Sequence, residues 1–237
     1  MTDKAFAGQL ALVTGASRGI GAATAQALAA QGAHVVLTAR STDELEKFED
    51  AIHNAGGTAT IAPLDLTDSD SIARLATAVS GRWDALDIMV LNAAMLGSLS
   101  PVTAIDGKEF NRVLTLNLIA QQALIANFDP LMKKSANPRL VALTSSVGRS
   151  PRAFWGAYGA SKAALDTLVT SYGEEVRNLK GPRTAIIDPG KTRTRMRALA
   201  YPGEDPETLK GPEIVADRIA ELLASDFETG ARIKVDA

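Results

Sequence analysis

The chain of 237 residues has the length of one large α/β domain. Its 25 basic and 27 acidic side chains nearly cancel to a net charge of −2, which argues against a basic nucleic-acid binder or a polybasic membrane protein. There is no cysteine, and His34 and His53 are the only histidines, so no thiolate or histidine-rich metal site is expected. No run of 18 apolar residues occurs, so we expect no membrane and a cytoplasmic location. From the charge balance and the lack of cysteine we likewise expect no nucleic acid and no metal.

Short apolar runs alternate with segments of helical period, which predicts βα units around a parallel sheet. Seven strands are predicted at Leu10–Thr14, His34–Thr38, Thr58–Ala62, Asp87–Leu91, Arg139–Thr144, Arg183–Asp188 and Arg232–Val235. Six helices are predicted at Gly19–Gln31, Thr42–Asn54, Ser69–Ser80, Lys108–Leu131, Tyr158–Leu179 and Pro212–Ala224. The sequence therefore predicts one α/β domain over residues 1–237, a Rossmann-like doubly wound fold with a mostly parallel seven-stranded sheet and helices on both faces.

A glycine-rich segment, Gly15–Gly21, joins the first predicted strand to the first helix. Such a turn lets the backbone approach a pyrophosphate, and the helix N-terminus offers N–H groups and a positive dipole end. Its Gly-x-x-x-Gly-x-Gly spacing only approximates the usual dinucleotide fingerprint, so a turn used for tight packing alone is the alternative.

The second predicted strand leads to Arg40, where an NAD-binding fold commonly has a carboxylate for the ribose hydroxyls. Arg40 and Arg18 are suited to a 2′-phosphate, because a guanidinium matches phosphate geometry. We therefore expect NADP(H) to be preferred, with NAD(H) as the second cofactor and two solvated arginines as the alternative reading.

Tyr158 and Lys162 are four residues apart, so a helix places both on one face. A neighbouring ammonium stabilises a phenolate, and lowering the tyrosine pKa by about two or three units would suit general acid/base catalysis. Ser145 lies at the end of a predicted strand, where open α/β sheets bind their ligands. The alternative is an ordinary helix with a surface tyrosine and lysine.

These motifs together resemble the short-chain dehydrogenase/reductase family, in its short single-domain branch and close to a bacterial subgroup of uncharacterised oxidoreductases. The resemblance covers essentially the whole chain. It is carried by TGxxxGIG at 14–21, Asp65-Leu66, Asn92-Ala93, Asn117, Ser145, Tyr158-x-x-x-Lys162 and Pro189-Gly190.

The resemblance implies an enzyme in which Tyr158 donates the proton to a carbonyl in reduction and accepts it in oxidation. Ser145 would orient and polarise that carbonyl, and Asn117 would anchor a water in a proton relay. Lys162 would lower the tyrosine pKa and hold the nicotinamide ribose. The implied catalytic set is therefore Asn117, Ser145, Tyr158 and Lys162.

The resemblance also implies a cofactor site. Asp65 would meet the adenine, Asn92 and Ala93 would lie beside the adenosine ribose, and Thr192 and Thr194 would hold the nicotinamide carboxamide. The full implied set is Gly15, Ser17, Arg18, Gly19, Ile20, Gly21, Arg40, Asp65, Leu66, Asn92, Ala93, Tyr158, Lys162, Pro189, Gly190, Thr192 and Thr194.

Two positions need comment. The family most often has Asn-Ala-Gly after the fourth strand, whereas this chain has Ala94 in the third place, which we expect the backbone to tolerate. Asp188 either faces the nicotinamide side or caps a turn, and we favour the turn because Asp is a common turn former.

The irregular stretch 191–211 is interpreted as a substrate loop, with closure over a site as one possibility. Cations are concentrated there and between Ser145 and Tyr158, which favours an anionic substrate group or extra binding of cofactor phosphates. The alternative is a solvated loop paired with its own carboxylates, Glu204, Asp205 and Glu207. The cations are Arg149, Arg152, Lys191, Arg193, Arg195 and Arg197.

We therefore expect an NADP-dependent oxidoreductase that interconverts a carbonyl compound and a secondary alcohol. One alternative is a dinucleotide-binding protein without turnover, acting as a redox sensor or scaffold. Another is an isomerase or dehydratase that uses the dinucleotide transiently. The resemblance also suggests a homotetramer or homodimer in which the helices Lys108–Leu131 and Tyr158–Leu179 pair across a two-fold axis.

Overall fold

A computed structural model describes residues 4–236; residues 1–3 and 237 of the predicted 1–237 domain lie outside it. The strands are β1 (Leu10–Thr14), β2 (His34–Ala39), β3 (Thr58–Pro63), β4 (Ile88–Leu91), β5 (Arg139–Leu143), β6 (Arg183–Asp188) and β7 (Ala231–Lys234). The helices are α1 (Gly19–Ala30), α2 (Thr42–Asn54), α3 (Ser69–Ser80), α4 (Gly107–Leu114), α5 (Ala120–Met132), α6 (Gly156–Val176), α7 (Arg195–Ala200) and α8 (Pro212–Ala224).

The seven strands form one sheet in the order β3-β2-β1-β4-β5-β6-β7, and every pair in it is parallel. The predicted doubly wound α/β fold is thus confirmed, with a sheet that is parallel throughout rather than mostly so. The strand order reverses between β1 and β4. In open sheets of this kind, ligands bind in the crevice beyond the carboxyl ends of the strands at that reversal.

Alternate side chains of each strand enter two hydrophobic layers, because successive residues of a strand point to opposite faces. Ala11 and Val13 pack with α1, α2 and α8, whereas Leu10 and Leu12 pack with α3, α5 and α6. Burial on both faces explains why these strands are apolar without alternation. Packing on both faces holds the strands, and therefore the carboxyl edge of the sheet, in place.

The predicted helix Lys108–Leu131 is not a continuous α-helix. Asp106 accepts a hydrogen bond from the N–H of Glu109 (2.8 Å) and starts α4 at Gly107, and a π-helical turn over Thr115–Ile119 then separates α4 from α5. In that turn the Ala120 N–H donates to the carbonyl of Thr115, five residues back. The predicted segment is thus helical throughout, and what the apolar pattern did not predict is the one wider turn inside it.

The predicted helix Tyr158–Leu179 is α6, which begins two residues earlier, at Gly156, and ends at Val176. The predicted loop 191–211 is more ordered than expected. It contains α7 and a 3₁₀ turn at Pro206–Thr208, and Thr192 pairs with Lys210 in an isolated parallel bridge.

Within residues 4–236, no helix is both long and apolar enough to span a membrane. The cytoplasmic location and the pairing of helices in a homotetramer or homodimer stay predictions.

One buried hydroxyl joins β1 to β4 at the reversal of strand order. Thr14 Oγ1 accepts hydrogen bonds from the N–H groups of Asn92 (2.9 Å) and Ala93 (3.0 Å) and donates to the carbonyl of Val90 (3.2 Å). Asn92 Nδ2 returns a bond to the carbonyl of Thr14 (2.8 Å). The chain leaving β4 is therefore fixed to the chain leaving β1.

We expect Thr14→Val to destabilise the fold by about 2 kcal/mol, because it leaves the Ala93 N–H without an acceptor and the Asn92 N–H with the carbonyl of Val90 alone (3.2 Å). Thr38→Val is the matched control: Thr38 pairs in register with Thr14, and its buried hydroxyl has no hydrogen-bond partner in the described residues. That control should change stability by less than about 1 kcal/mol. Urea unfolding followed by circular dichroism measures both, and equal losses would contradict the role assigned to Thr14.

Candidate active site

The predicted site residues from six strands meet at one edge of the sheet. The turn at Gly15 follows β1, Arg40 follows β2, Asp65 follows β3 and Asn92 follows β4. Ser145 follows β5, and Pro189-Gly190 follows β6. Because all strands are parallel, their carboxyl ends lie on the same side, so the sheet itself assembles the site.

The glycine turn packs against Asn92 and against its own backbone so closely that Gly15 and Gly21 have no room for a side chain. A Cβ on Gly21 would lie 2.3 Å from the carbonyl oxygen of Gly15, and one on Gly15 would lie 2.9 Å from Asn92 Nδ2. Gly15 and Gly19 also have φ values of 65° and 54°, which L side chains rarely adopt. The glycines therefore let the chain turn sharply against Asn92 and start α1 with no carboxylate in its first turn.

The expected tolerance of Ala94 agrees with the backbone. Among residues 4–236 the sole non-glycine residue with positive φ is Phe154, so Ala94 lies in a region that any residue adopts.

Arg18 and Arg40 are both exposed beside the glycine turn. In the part of the chain that the structure describes, neither guanidinium forms an ion pair. Hydrogen bonds from the Thr67 backbone and hydroxyl lower the pKa of Asp65, and the charge of Arg40 lowers it further. Two uncompensated cations and one ionised carboxylate thus face solvent at the ends of β1, β2 and β3.

Leu66 differs from its predicted neighbours at the site, because its side chain is buried in the layer that holds α3 and α5. Ser17 is buried within the turn, whereas Ile20 packs partly against the opposite layer. The side chains of these residues point into the protein, so any contact they make with a ligand would be through the backbone.

Asn117 lies at the centre of the π-helical turn and is fully buried. Its Oδ1 accepts from the N–H of Met95 (2.8 Å), and its Nδ2 donates to the carbonyl of Met95 (2.9 Å) and to Ser161 Oγ (3.0 Å). Ser161 Oγ in turn donates to the carbonyl of Tyr158 (2.7 Å). The side chain of Asn117 therefore ties the loop after β4 to the turn of α6 that carries Tyr158.

Tyr158 and Lys162 lie on one face of α6, as predicted from their spacing. Both are buried, with exposed fractions of 7% and 2%, and Lys162 Nζ lies 5.8 Å from the centre of the Tyr158 ring. Lys162 Nζ donates to the carbonyl of Leu143 (2.7 Å) at the end of β5. An ammonium has three donors, so two remain available at the site.

The electrostatics differ from the expectation for Tyr158. Burial raises the pKa of Tyr158, and the negative charge of Asp188 raises it further. Burial also lowers the pKa of Lys162, to about 8, although Asp166 opposes that change. In the chain by itself the tyrosine pKa is therefore raised where a lowering was expected, because burial penalises the phenolate and Asp188 adds a like charge.

Ser145 lies between β5 and a 3₁₀ turn at Ser146–Gly148, with extended backbone. Its hydroxyl does not cap that turn, and the residue is half-exposed. The side chain is thus free to meet a ligand oxygen next to Tyr158.

The chain after β6 folds back over the glycine turn. Asp188 Oδ1 accepts from the N–H of Gly190 (3.0 Å), which confirms the turn-capping reading. Thr192 Oγ1 donates to the carbonyl of Pro189 (2.9 Å), and Thr194 caps α7 by accepting from the N–H of Arg197 (3.2 Å). Thr194 Cγ2 lies 3.5 Å from the position of a Cβ on Gly19, so Thr194 lies beside the turn.

Two cations of the basic loop are paired within the loop. Arg197 binds Glu204 through two hydrogen bonds of 2.5 and 2.6 Å, and Arg193 binds Glu207 at 3.1 Å. The third predicted partner, Asp205, caps a turn instead, accepting from the N–H of Glu207 (3.0 Å). The solvated-pair reading therefore holds for Arg193 and Arg197 alone.

Aromatic side chains form a wall beside Tyr158. The Trp155 ring centre lies 5.9 Å from that of Tyr158 and 5.8 Å from that of Tyr201. Leu96, Val147 and Met196 join this cluster. The roles of Ser161 and the Leu143 carbonyl were missed, since their only signal is contact between distant segments.

Comparison with known proteins agrees with this geometry. Residues 9–205 match the family model described as short chain dehydrogenase. An uncharacterized oxidoreductase, YciK of Escherichia coli (strain K12), is 34% identical over 97% of this chain and 91% of its own length. Cis-4-hydroxycyclohexanecarboxylate dehydrogenase of Sinomonas cyclohexanicum is 32% identical over 98% of this chain and 97% of its own. A crystal structure of a short chain dehydrogenase from Escherichia coli CFT073 complexed with NADPH superposes with a TM-score of 0.94 at 33% identity, covering all of both chains.

The lowered pKa of Lys162 predicts a pH-dependent stability. In the protein without added dinucleotide, the folded state releases the lysine proton near pH 8, whereas the unfolded chain holds it up to 10.5. Between these values the unfolded state binds more protons, so the contribution of Lys162 to stability rises with pH. The free energy of unfolding of wild type relative to Lys162→Met should rise by about 3 kcal/mol from pH 7.5 to 10.5.

Denaturant titrations across that pH range measure the difference. Lys180→Met, which removes an exposed lysine, should show no such dependence. Parallel stability curves for wild type and Lys162→Met would contradict the burial of a charged lysine.

Proposed function

The chain belongs to the short chain dehydrogenase family, whose enzymes act on CH–OH and C=O groups with NAD(P), and from that premise we propose its reaction. It transfers a hydride between NADP(H) and a carbonyl compound or secondary alcohol. The observation that carries the proposal is the buried pair Tyr158 and Lys162 at the carboxyl edge of the sheet, where Lys162 binds the Leu143 carbonyl two residues before Ser145.

The turn at the end of β1 fits a dinucleotide. Gly15 and Gly21 let the turn close tightly against Asn92, with no room for a Cβ, and α1 starts there with free N–H groups. Arg18 and Arg40 would hold a 2′-phosphate, which is why we propose NADP(H) over NAD(H). The related structure bound to NADPH supports the same choice.

The other implied contacts belong to the same proposal. Asp65 would meet the adenine, Asn92 and Ala93 the adenosine ribose, and Thr192 and Thr194 the carboxamide. When bound, NADPH supplies the hydride, as nicotinamide cofactors do.

The chain itself supplies orientation and the proton. Tyr158 Oη donates its proton to the carbonyl oxygen as the alcohol forms, and it accepts that proton in the reverse direction. Its raised pKa keeps the tyrosine protonated in the chain alone, so the proton is present for donation. Ser145 Oγ donates a hydrogen bond to the same oxygen, and the two remaining N–H groups of Lys162 hold the ribose. Asn117 keeps this turn of α6 in place and would anchor a relay water.

The substrate we propose is a small molecule with an anionic group. Arg149, Arg152 and Arg195 are exposed and form no ion pair in the described residues, so a positive field remains at the site. The relative from Sinomonas cyclohexanicum, named for a hydroxy acid, supports an anionic substrate.

Two other functions fit the fold less well. A scaffold or redox sensor would bind the dinucleotide without needing a buried tyrosine and lysine beside Ser145. An isomerase or dehydratase would consume no net NADPH, so the absorbance of NADPH in a turnover assay separates it from the proposed reductase.

The role of Tyr158 has a direct test. Tyr158→Phe should lower kcat by at least about a hundredfold, because general acid catalysis contributes that much or more. Its NADPH affinity, measured by fluorescence titration, should stay within about threefold. Tyr172→Phe removes another hydroxyl from α6, one that donates to Asp129 away from the site, and it should leave turnover intact. Unimpaired turnover in Tyr158→Phe would overturn the proposal.

The cofactor preference has a separate test. Arg40→Gln should weaken NADPH binding by about tenfold and leave NADH binding nearly unchanged, because one charged hydrogen bond to phosphate is lost. Arg82→Gln makes the same charge change at the opposite edge of the sheet and serves as the control. Wild-type protein that binds NADH as tightly as NADPH would show that Arg18 and Arg40 are merely solvated.

A further inference from the structure

Arg152 differs from the other cations near the site in how it is held. Its guanidinium donates to Ser146 Oγ and to the hydroxyl of Tyr201, both at 3.3 Å. Both partners are neutral, and in the described residues Arg152 forms no ion pair. Arg152 is therefore oriented by the protein without being neutralised by it.

Tyr201, which orients Arg152, is itself fixed from two sides. The guanidinium of Arg197 stacks 3.7 Å above its ring, and Glu204 holds Arg197 in turn. Trp155 packs against it at 5.8 Å between ring centres. Arg197, whose charge Glu204 balances, thus positions the Tyr201 ring. Tyr201 in turn orients Arg152, whose charge is not balanced.

The space between Arg152 and Tyr158 is bordered by apolar groups. Trp155 lies between Tyr158 and Tyr201, with Leu96 and Met196 in the same cluster. Exposed apolar side chains flank the loops around this cluster: Val102 (73% exposed), Phe154 (56%) and Leu199 (65%). Phe154 also has a φ of 72°, an unfavourable backbone conformation that the bond from the Ser100 N–H to its carbonyl (3.1 Å) helps to hold.

We propose that Arg152 is the specificity-determining residue for substrate charge and that it binds a carboxylate of the substrate. The planar guanidinium has five donors and pairs with a carboxylate through two parallel bonds. Substrate binding would replace the two long bonds to hydroxyls by charge-assisted ones. This assignment rests on the proposed function, since it concerns the substrate of the same site.

The geometry also limits where the carboxylate stands in the substrate. Trp155 lies 5.9 Å from Tyr158, which meets the reacting oxygen, and 5.8 Å from Tyr201, which contacts Arg152, both between ring centres. A substrate that contacts this aromatic cluster between the two groups needs an apolar segment, which a short 2-oxo acid such as pyruvate does not have. The substrate class that the cluster favours is therefore an oxo or hydroxy acid in which an apolar ring or chain separates the two groups.

Pairs of oxo acids and their methyl esters test the proposal. With NADPH, kcat/KM is measured for pyruvate, 4-oxopentanoate and 7-oxooctanoate and for the three esters. We expect wild type to favour 7-oxooctanoate over its ester by at least about tenfold, mainly through KM, and to show no such preference for pyruvate. Arg152→Gln should bring the ratio of acid to ester near one while leaving ester turnover unchanged.

Two further variants make the test specific. Arg152→Lys should give an intermediate ratio, because lysine retains the charge without the planar fork. Arg82→Gln makes the same charge change at the opposite edge of the sheet and should keep the wild-type ratio. An equal loss in Arg82→Gln, or an unchanged ratio in Arg152→Gln, would overturn the role of Arg152.

A binding measurement separates this proposal from the proposed reaction. Calorimetric titration of 7-oxooctanoate into Tyr158→Phe loaded with NADP⁺ should show binding that Arg152→Gln weakens by about tenfold. Such binding without turnover in wild type would refute the reductase activity and support the Arg152 site. Turnover of esters and acids alike would support the reductase and refute the Arg152 site.

Discussion

The hydroxyl of Thr14 is the contact on which the arrangement of this site depends. It accepts two N–H groups of the chain leaving β4 and lies just before the glycine turn, so it fixes the two loops that border the crevice. The side-chain amide of Asn92 adds a hydrogen bond back to the carbonyl of Thr14. Its Nδ2 lies so near Gly15 that residue 15 has no room for a Cβ. The parallel sheet gives the loops a common edge, and these hydrogen bonds give that edge a defined shape.

A second set of contacts passes from this edge to α6. Asn117 binds the backbone of Met95 and the hydroxyl of Ser161, and Ser161 binds the carbonyl of Tyr158. Each group is buried and uses its hydrogen bonds on distant segments, so loss of one would leave others unpaired. The π-helical turn adds one residue at the point where Asn117 must face both partners. Tyr158 is therefore held through its backbone while its hydroxyl stays available.

The sequence predicted those features that depend on local spacing or on strand order. The spacing of four residues predicted that Tyr158 and Lys162 lie on one helix face. The parallel strands predicted that Arg40 and Asp65 lie at the same edge of the sheet as the Gly15 turn. Features that arise from packing were not predictable. The π-helical turn at Asn117 has no distinct signal in the apolar pattern, and the contact of Trp155 with Tyr201 joins residues that are far apart in the sequence. The pKa of Tyr158 depends on burial, which spacing does not report.

The burial of that pair also bears on whether the protein is a catalyst or a scaffold. Placing a lysine at 2% exposure costs free energy, as the fall of its pKa to about 8 shows, and a single bond to the Leu143 carbonyl does not offset the loss of water. A methionine at this position and a phenylalanine in place of Tyr158 would fill the same space without that cost. A fold that merely bound a dinucleotide would gain stability from both replacements. Retaining two buried polar groups beside the free hydroxyl of Ser145 is therefore intelligible as preparation for proton transfer and not as packing.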